Sequence, residues 1–243
     1  MRLARLRFVA FNAVILATAC FALAGCSRIP GIPGPGPEVV RPDEVLDFPT
    51  LYKANCAACH GENGKNGVAI SLANPMYLAI AGEDTLREIT GKGVVGKLMP
   101  PFAKSAGGML TDQQINVLAH GMIQEWGKPD LLAGMSAPQY ASTMEGDAVR
   151  GQEAFGTFCA KCHGVGGQGG TGKVGSIVNG SYLALISDQG LRSIAIAGRP
   201  DEGMPDWHGH GAEPMTDQQI TDIVTWLGSK RIADPGQPYP TRP

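Results

Sequence analysis

Two five-residue segments carry the residue types best suited to chemistry in this 243-residue chain: Cys56-Ala57-Ala58-Cys59-His60 and Cys159-Ala160-Lys161-Cys162-His163. Each has the pattern C-x-x-C-H, which is typical of covalent attachment of a c-type haem. The two thiols add across the haem vinyl groups, and the histidine offers an imidazole to the iron. One zinc ion held by four cysteines, or two redox dithiols, are the alternatives. Neither requires a histidine after both pairs, so the pattern favours haem attachment.

The composition is consistent with bound haem groups. Apolar residues make up 43% of the chain, aromatic residues make up 6%, and there are 34 glycines. A protein core of this composition would be thin, and a large apolar cofactor in each domain would add the missing volume. Glycine also lets the backbone approach a flat ring closely.

The N-terminus has the pattern of a bacterial lipoprotein signal. Arginines precede an apolar run over residues 8–24, which ends in Leu-Ala-Gly before Cys26. An uncleaved transmembrane anchor is the alternative, but the run is near the lower length limit for spanning. We therefore expect a signal peptide over residues 1–25 and lipidation of Cys26. The protein would be exported and lipid-anchored on the periplasmic side of a bacterial membrane, either inner or outer.

The charge of the exported part excludes one class of partner. After residue 25 the chain has 17 basic and 22 acidic residues, a net charge of −5. Residues 141–229 alone hold five basic and ten acidic residues. Such a surface does not suit nucleic acid, and it would steer encounters with a basic protein partner.

The rest of the chain is an internal duplication. The motif cysteines and histidines recur at an offset of 103, and after a two-residue insertion in the following glycine-rich loop the offset is 105. At the second offset, six features of the first repeat recur in the second. They are Ser71 and Ser176, Asn74 and Asn179, Tyr77 and Tyr182, Met99-Pro100 and Met204-Pro205, Phe102 and Trp207, and Thr111–Ile115 and Thr216–Ile220. The expected divisions are a Pro/Gly tether over 26–42, a first domain with its linker over 43–140, a second domain over 141–229, and a Pro-rich tail over 230–243.

Helical signals dominate both repeats. The expected helices before the haem motifs cover residues 49–55 and 146–158. A middle helix follows Asp84 in the first repeat and Asp188 in the second, with the acid as N-cap. The last helix of each repeat begins with a capping box at Thr111 or Thr216, and its apolar residues recur at helical spacing. No segment has a convincing strand pattern, so the chain is expected to be all-α.

Each repeat resembles a class I cytochrome c, and the tandem resembles a dihaem cytochrome c. The resemblance covers about residues 43–126 and 141–229, and it depends on the C-x-x-C-H motifs and on the Met-Pro elements. It implies a small helical bundle around each of two covalently bound haem c groups. The implied haem attachment residues are Cys56, Cys59, Cys159 and Cys162, and the implied axial ligands of the irons are His60, Met99, His163 and Met204.

The methionine ligands also have positional support. Each precedes a proline in the loop before the last helix, and proline restricts the backbone of the residue before it. Packing roles for Met99 and Met204 are the alternative. In the second repeat His208 or His210 could replace Met204, and His120 is a more distant rival in the first.

Other polar residues near the motifs are less specific. The family often has a Gly-Pro whose carbonyl orients the proximal imidazole, but this sequence has Gly67-Val68 and Gly172-Lys173, so the acceptor stays unassigned. Asn74 and Asn179 either cap a turn or bind a haem propionate, and the first interpretation is favoured.

Two irons with His/Met ligation have no open position for oxygen or peroxide, which favours electron transfer. We expect a membrane-tethered cytochrome that carries electrons between respiratory or photosynthetic partners, as a carrier or as a subunit of a larger complex. Similar domains serve in cbb-type oxidases and in alternative quinol-oxidising complexes. No catalytic residue is assigned. The alternatives are a dihaem oxidoreductase, such as a peroxidase or thiosulfate dehydrogenase, and a haem-bearing structural subunit.

Overall fold

The computed structural model describes residue 36 and residues 39–170, 174–209 and 213–233. The predicted signal peptide, Cys26, His210 and the tail from residue 234 lie outside these described residues. The chain divides into two units, Met1–Pro42 and Asp43–Pro243, and both repeats lie in the second. None of the described helices combines the length and apolar character needed to cross a membrane.

The described residues form nine α-helices and no β-sheet, which confirms the all-α prediction. In the first repeat these are α1 (Phe48–Asn55), α2 (Ala57–His60), α3 (Pro75–Lys92) and α4 (Asp112–Trp126). In the second they are α5 (Ala148–Phe158), α6 (Ala160–His163), α7 (Gly180–Leu185), α8 (Asp188–Ala197) and α9 (Asp217–Gly228). Short 3₁₀-helices cover Pro42–Glu44, Lys104–Ala106 and Pro200–Glu202.

The N-caps predicted for the middle helices are wrong in both repeats. Asp84 lies inside α3, which begins nine residues earlier at Pro75 and kinks at Gly82, where φ is +71°. In the second repeat the position equivalent to Gly82 is Ser187, whose side chain caps α8, so Asp188 is the first helical residue instead. The hydroxyl of Ser187, one residue upstream of Asp188, makes the capping hydrogen bond in place of the acid. The second middle helix is therefore divided at Ile186 and Ser187 into α7 and α8.

The last helices agree with the sequence. Thr111 and Thr216 each accept a hydrogen bond from the backbone of the glutamine three residues on, and each glutamine side chain accepts one in return. The predicted apolar faces pack into the core. Their buried members are Ile115, Leu118, Ala119, Met122, Ile220, Ile223, Val224 and Leu227.

The contact between the first and last helix of each repeat uses one large and one small residue. A Cβ atom on Gly121 of α4 would lie 2.2 Å from the ring of Phe48 on α1. The equivalent positions in the second repeat are reversed, with Gly151 on α5 and Trp226 on α9. A Cβ on Gly151 would lie 2.0 Å from the carbonyl oxygen of Asp222 and 2.9 Å from the Cβ of Trp226. The two repeats thus exchange which helix supplies the glycine and which supplies the aromatic residue.

Substitution of Gly121 by alanine is expected to lower the free energy of unfolding by about 1–3 kcal/mol, because the new methyl group collides with the Phe48 ring. Guanidinium unfolding of the haem-loaded protein measures this. In a Phe48→Ala background the same change should cost nothing or stabilise by up to about 1 kcal/mol through helix propensity. The control is Gly156→Ala, where no atom lies within 4 Å of the new Cβ. Equal losses in both backgrounds would contradict the proposed contact.

Candidate haem-binding sites

Each C-x-x-C-H motif is folded as one helical turn at the end of the preceding helix. The His60 amide donates to the Cys56 carbonyl at 3.0 Å, and the His163 amide donates to the Cys159 carbonyl at 3.0 Å. The first cysteine of each motif is half-buried and the second is exposed. The two thiols and the imidazole of each motif are therefore positioned by the same local structure in both repeats.

The cysteines do not have the properties expected of redox dithiols or of a four-cysteine zinc site. Burial, with a smaller contribution from the neighbouring thiol, raises the pKa of Cys56 and of Cys159 to about 11. Redox C-x-x-C pairs need the opposite shift, towards the thiolate. In the described part of the chain, no three His, Cys, Asp or Glu side chains converge as a metal cluster. Neither a dithiol pair nor a four-cysteine zinc site gains support from this geometry.

The imidazole of His60 is buried and oriented by a backbone carbonyl. Its Nδ1 lies 2.7 Å from the carbonyl oxygen of Ile70. Since a carbonyl only accepts, Nδ1 carries the proton and Nε2 keeps its lone pair. Burial lowers the pKa of His60, which favours the neutral imidazole that binds metals. The sequence left this acceptor unassigned, because every residue type supplies the same carbonyl.

The second histidine differs from the first. His163 is half-buried, and burial lowers its pKa as well. Its Nδ1 atom is itself buried and has no hydrogen-bond partner among the described residues. The position equivalent to Ile70 is Gly175, which is exposed. Within the described part of the chain, the duplication therefore preserves the haem motif but not the hydrogen bond that orients its imidazole.

The two methionine loops share one backbone hydrogen bond. The Met99 carbonyl accepts a hydrogen bond from the Val94 amide at 3.0 Å, and the Met204 carbonyl accepts one from the equivalent Arg199 amide at 3.0 Å. Both methionines are half-buried.

A glycine at the end of the preceding helix lies against each Met-Pro segment. A Cβ on Gly93 would lie 2.6 Å from the carbonyl carbon of Pro100, and a Cβ on Gly198 would lie 2.4 Å from the carbonyl oxygen of Pro205. Both glycines have positive φ, +69° and +66°, a region that other residues rarely adopt. The methionine backbone is thus positioned by direct contact with the middle helix in both repeats.

The two rival histidines among the described residues, His208 and His120, each pair with a carboxylate. His208 Nδ1 lies 2.9 Å from Oδ1 of Asp206, and its ring packs on Trp207 with centroids 4.0 Å apart. The side chain of His120 is 61% exposed, and its Nδ1 lies 3.2 Å from Oε2 of Glu83. His120 therefore faces solvent.

Buried donors beside the second methionine suit a haem. Trp207 Nε1 and Arg199 Nε are buried without a partner among the described residues. Both residues flank the Met204 segment, and haem carries two propionate carboxylates that accept from such N–H groups. Together with the thioether of Met204, these donors fit the group that the C-x-x-C-H motif predicts.

The two asparagines cap helices, as favoured by the sequence. Oδ1 of Asn74 accepts from the first amides of α3, and Oδ1 of Asn179 accepts from those of α7. Asn74 is also buried between the repeats, where its Nδ2 donates to the carbonyls of Ala197 at 2.9 Å and Gly198 at 3.2 Å. Asn179 is exposed. Sequence reasoning missed the contact of Asn74 with the second repeat.

Three comparisons with known proteins bear on these sites. The model of the family described as cytochrome c oxidase, cbb3-type, subunit III, matches residues 44–120 and 146–227. The cbb3-type cytochrome c oxidase subunit FixP of Sinorhizobium medicae is 26% identical over 191 residues, which cover 74% of this chain and 59% of that protein. A chain of the reducing HAO-like protein complex Kustc0457/Kustc0458 of Kuenenia stuttgartiensis is 17% identical, with a TM-score of 0.44 over 81% of this chain and 99% of that one. This last similarity is too low to carry a structural conclusion.

Alanine substitution at the two asparagines should separate capping from contact between the repeats. Asn179→Ala is expected to cost about 1 kcal/mol for the lost cap. Asn74→Ala loses a cap and also the hydrogen bonds to the second repeat, so its cost should be larger by about 1 kcal/mol or more. Chemical unfolding of the haem-loaded protein gives both values. Equal costs would show that the Asn74 side chain contributes no stabilising contact across the repeats.

Proposed function

Since the chain belongs to the family of cytochrome c oxidase, cbb3-type, subunit III, we propose that it is a membrane-tethered dihaem cytochrome that passes electrons between respiratory partners. The family match makes it a c-type cytochrome with covalently bound haem c, and the match occurs once in each repeat. Bound haem c supplies one-electron exchange between ferrous and ferric iron.

We assign the attachment of one haem to Cys56 and Cys59 and that of the other to Cys159 and Cys162. The assignment is supported by the helical turn that places both thiols and the following histidine together. In the first repeat, the hydrogen bond from His60 Nδ1 to Ile70 fixes the ring and leaves Nε2 for the iron.

The observation that carries the electron-transfer proposal is the shared positioning of Met99 and Met204, by one amide-to-carbonyl hydrogen bond and one close glycine contact in each repeat. With His60 and His163 on the opposite faces, both thioethers would complete the coordination of the iron. The neutral sulfur favours the ferrous state and raises the reduction potential relative to two histidines. Because the sixth position is then filled, oxygen and peroxide have no site at which to bind, which argues against the peroxidase and dehydrogenase alternatives.

A lipid at Cys26, on the N-terminal side of the tether, would hold both repeats at the periplasmic face of a bacterial membrane. The relative from Sinorhizobium medicae is named as a subunit of a cbb3-type oxidase. Its name supports a membrane respiratory complex as partner, although this chain spans about 59% of that relative's length. Purification from detergent-solubilised membranes tests the partner. Migration with a larger complex indicates a subunit, and migration alone indicates a free carrier.

Replacement of either proposed distal ligand should change one haem and leave the other intact. Met99→Ala and Met204→Ala are each expected to abolish the sulfur-to-iron absorption of one of the two haems and to lower its potential, because a neutral thioether ligand is lost. Redox potentiometry with optical detection measures both effects, and it assigns each potential to a repeat.

The matched control is Met109→Ala, a methionine 82% exposed in the same region of the first repeat, which should alter neither haem. If neither ligand variant changed a spectrum or a potential, the distal assignments would be wrong. A five-coordinate iron in the wild-type protein would favour the oxidoreductase alternative instead.

A further inference from the structure

The two repeats meet along a seam formed by residues 66–74 of the first repeat and residues 197–201 of the second. Asn74 donates across it to the carbonyl of Ala197. The guanidinium of Arg199 donates to the carbonyl of Gly67 at 3.2 Å. The seam therefore joins the loop after the first haem motif to the loop that precedes Met204.

A buried carboxylate lies at the centre of this seam. Asp201, in the 3₁₀-helix Pro200–Glu202, has a side chain that is 6% exposed. Its Oδ2 accepts from the hydroxyl of Ser71 at 2.6 Å and from the amide of Asn66 at 3.0 Å. The Arg199 guanidinium lies 3.6 Å from the same oxygen. Burial alone would raise the pKa of Asp201, but these hydrogen bonds and Arg199 together lower it, so the group is ionised and its bonds are charge-assisted.

The loop that Asp201 binds is the loop that orients His60. The Ala69 amide donates to the Cys59 carbonyl at 2.9 Å, which closes this loop onto the first haem motif. Ile70 follows and accepts the hydrogen bond of His60 at 2.7 Å. Asn66 and Ser71, the two partners of Asp201, lie on either side of Ile70 in the chain. The Asp201 carboxylate of the second repeat thus holds the segment of the first repeat whose Ile70 carbonyl accepts the hydrogen bond of His60.

The duplication shows that this carboxylate belongs to the seam and not to the common fold. At the offset of 105, the position equivalent to Asp201 in the first repeat is Gly96, which has no side chain. Asp201 is also joined to the second site, because Arg199 and Met204 exchange backbone hydrogen bonds at 3.0 and 2.9 Å around its 3₁₀-helix. It therefore lies between the proximal side of one site and the distal loop of the other.

We propose that Asp201 is a positioning residue for the first haem. By binding Asn66 and Ser71 it fixes the Ile70 carbonyl, and docking of the second repeat thereby sets the reduction potential of the first haem. A hydrogen bond from Nδ1 makes an imidazole a more basic ligand, which favours ferric iron and lowers the potential. Loss of the Asp201 contact should therefore raise it. This inference rests on the proposed role of His60 as an iron ligand.

The sharpest test is Ser71→Ala in the full-length, haem-loaded protein, because it removes a bond to Asp201 without changing any charge. The potential of the first haem is expected to rise while that of the second stays constant. Ser176→Ala is the matched control, since Ser176 occupies the equivalent position and its hydroxyl bonds within its own repeat, to the Gly167 carbonyl. It should leave the first potential unchanged.

A second variant tests the carboxylate itself. Asp201→Ala should raise amide hydrogen exchange at Asn66 by about tenfold or more, because it removes a hydrogen bond to a charged group. It should also raise the potential of the first haem. Glu202→Gln is the control for charge alone, since this neighbouring side chain is 58% exposed and lies 3.8 Å from the same arginine. Its effect on the first potential should be smaller.

Three results would overturn the proposal. Unchanged exchange at Asn66 in Asp201→Ala would show that the carboxylate does not order the loop. Faster exchange with an unchanged first potential would show that the contact is structural alone. Equal shifts of the first potential in Asp201→Ala and Glu202→Gln would show that the loss of a negative charge alone explains the shift. Failure of the proposed function is distinguishable from all three, because it would show in the wild-type spectrum as the absence of His/Met ligation.

Discussion

The hydrogen bond between His60 Nδ1 and the Ile70 carbonyl is the interaction on which the organisation of the first repeat depends. At 2.7 Å it fixes the orientation of a buried imidazole and leaves the other ring nitrogen pointing away from this carbonyl. The α2 turn positions the histidine, and the glycine-rich loop returns to supply the acceptor. Asn66 and Ser71 of that loop in turn bind Asp201 of the second repeat. A ligand orientation in one repeat is thus connected by direct contacts to the other.

The two repeats share the structure of the haem motifs and of the Met-Pro contacts, and they differ in the residues around them. Both haem motifs are single helical turns, and both methionine loops have the same amide-to-carbonyl bond and the same glycine contact. The contact between the first and last helix pairs an aromatic residue with a glycine in both repeats, but the helices that supply them are exchanged, as Phe48 against Gly121 and Gly151 against Trp226 show. Among the described residues, only His60 has a carbonyl acceptor for Nδ1, and the position equivalent to Asp201 is a glycine. With haem bound as proposed, these different surroundings would give the two sites different reduction potentials.

Sequence reasoning predicted the features that local patterns encode. The capping boxes at Thr111 and Thr216 depend on residues three apart, and the apolar faces of α4 and α9 depend on helical period, so both were confirmed. The N-caps at Asp84 and Asp188 were wrong because other residues begin those helices, namely Asn74 before Pro75 and Ser187 immediately before Asp188. Several side chains can cap a helix start, and the choice among them depends on where the chain turns.

The amino-acid sequence by itself determined the number of sites, their cofactor and the helical class of the fold, because C-x-x-C-H spacing, repeat offsets and helical period are all read along the chain. Tertiary structure alone decided which carbonyl binds His60 and which carboxylate joins the repeats. Every residue supplies a backbone carbonyl, so the residue type at position 70 does not mark it as the acceptor for His60. Asp201 meets Ser71 130 positions away in the chain, and such a pairing arises only when two folded surfaces pack together.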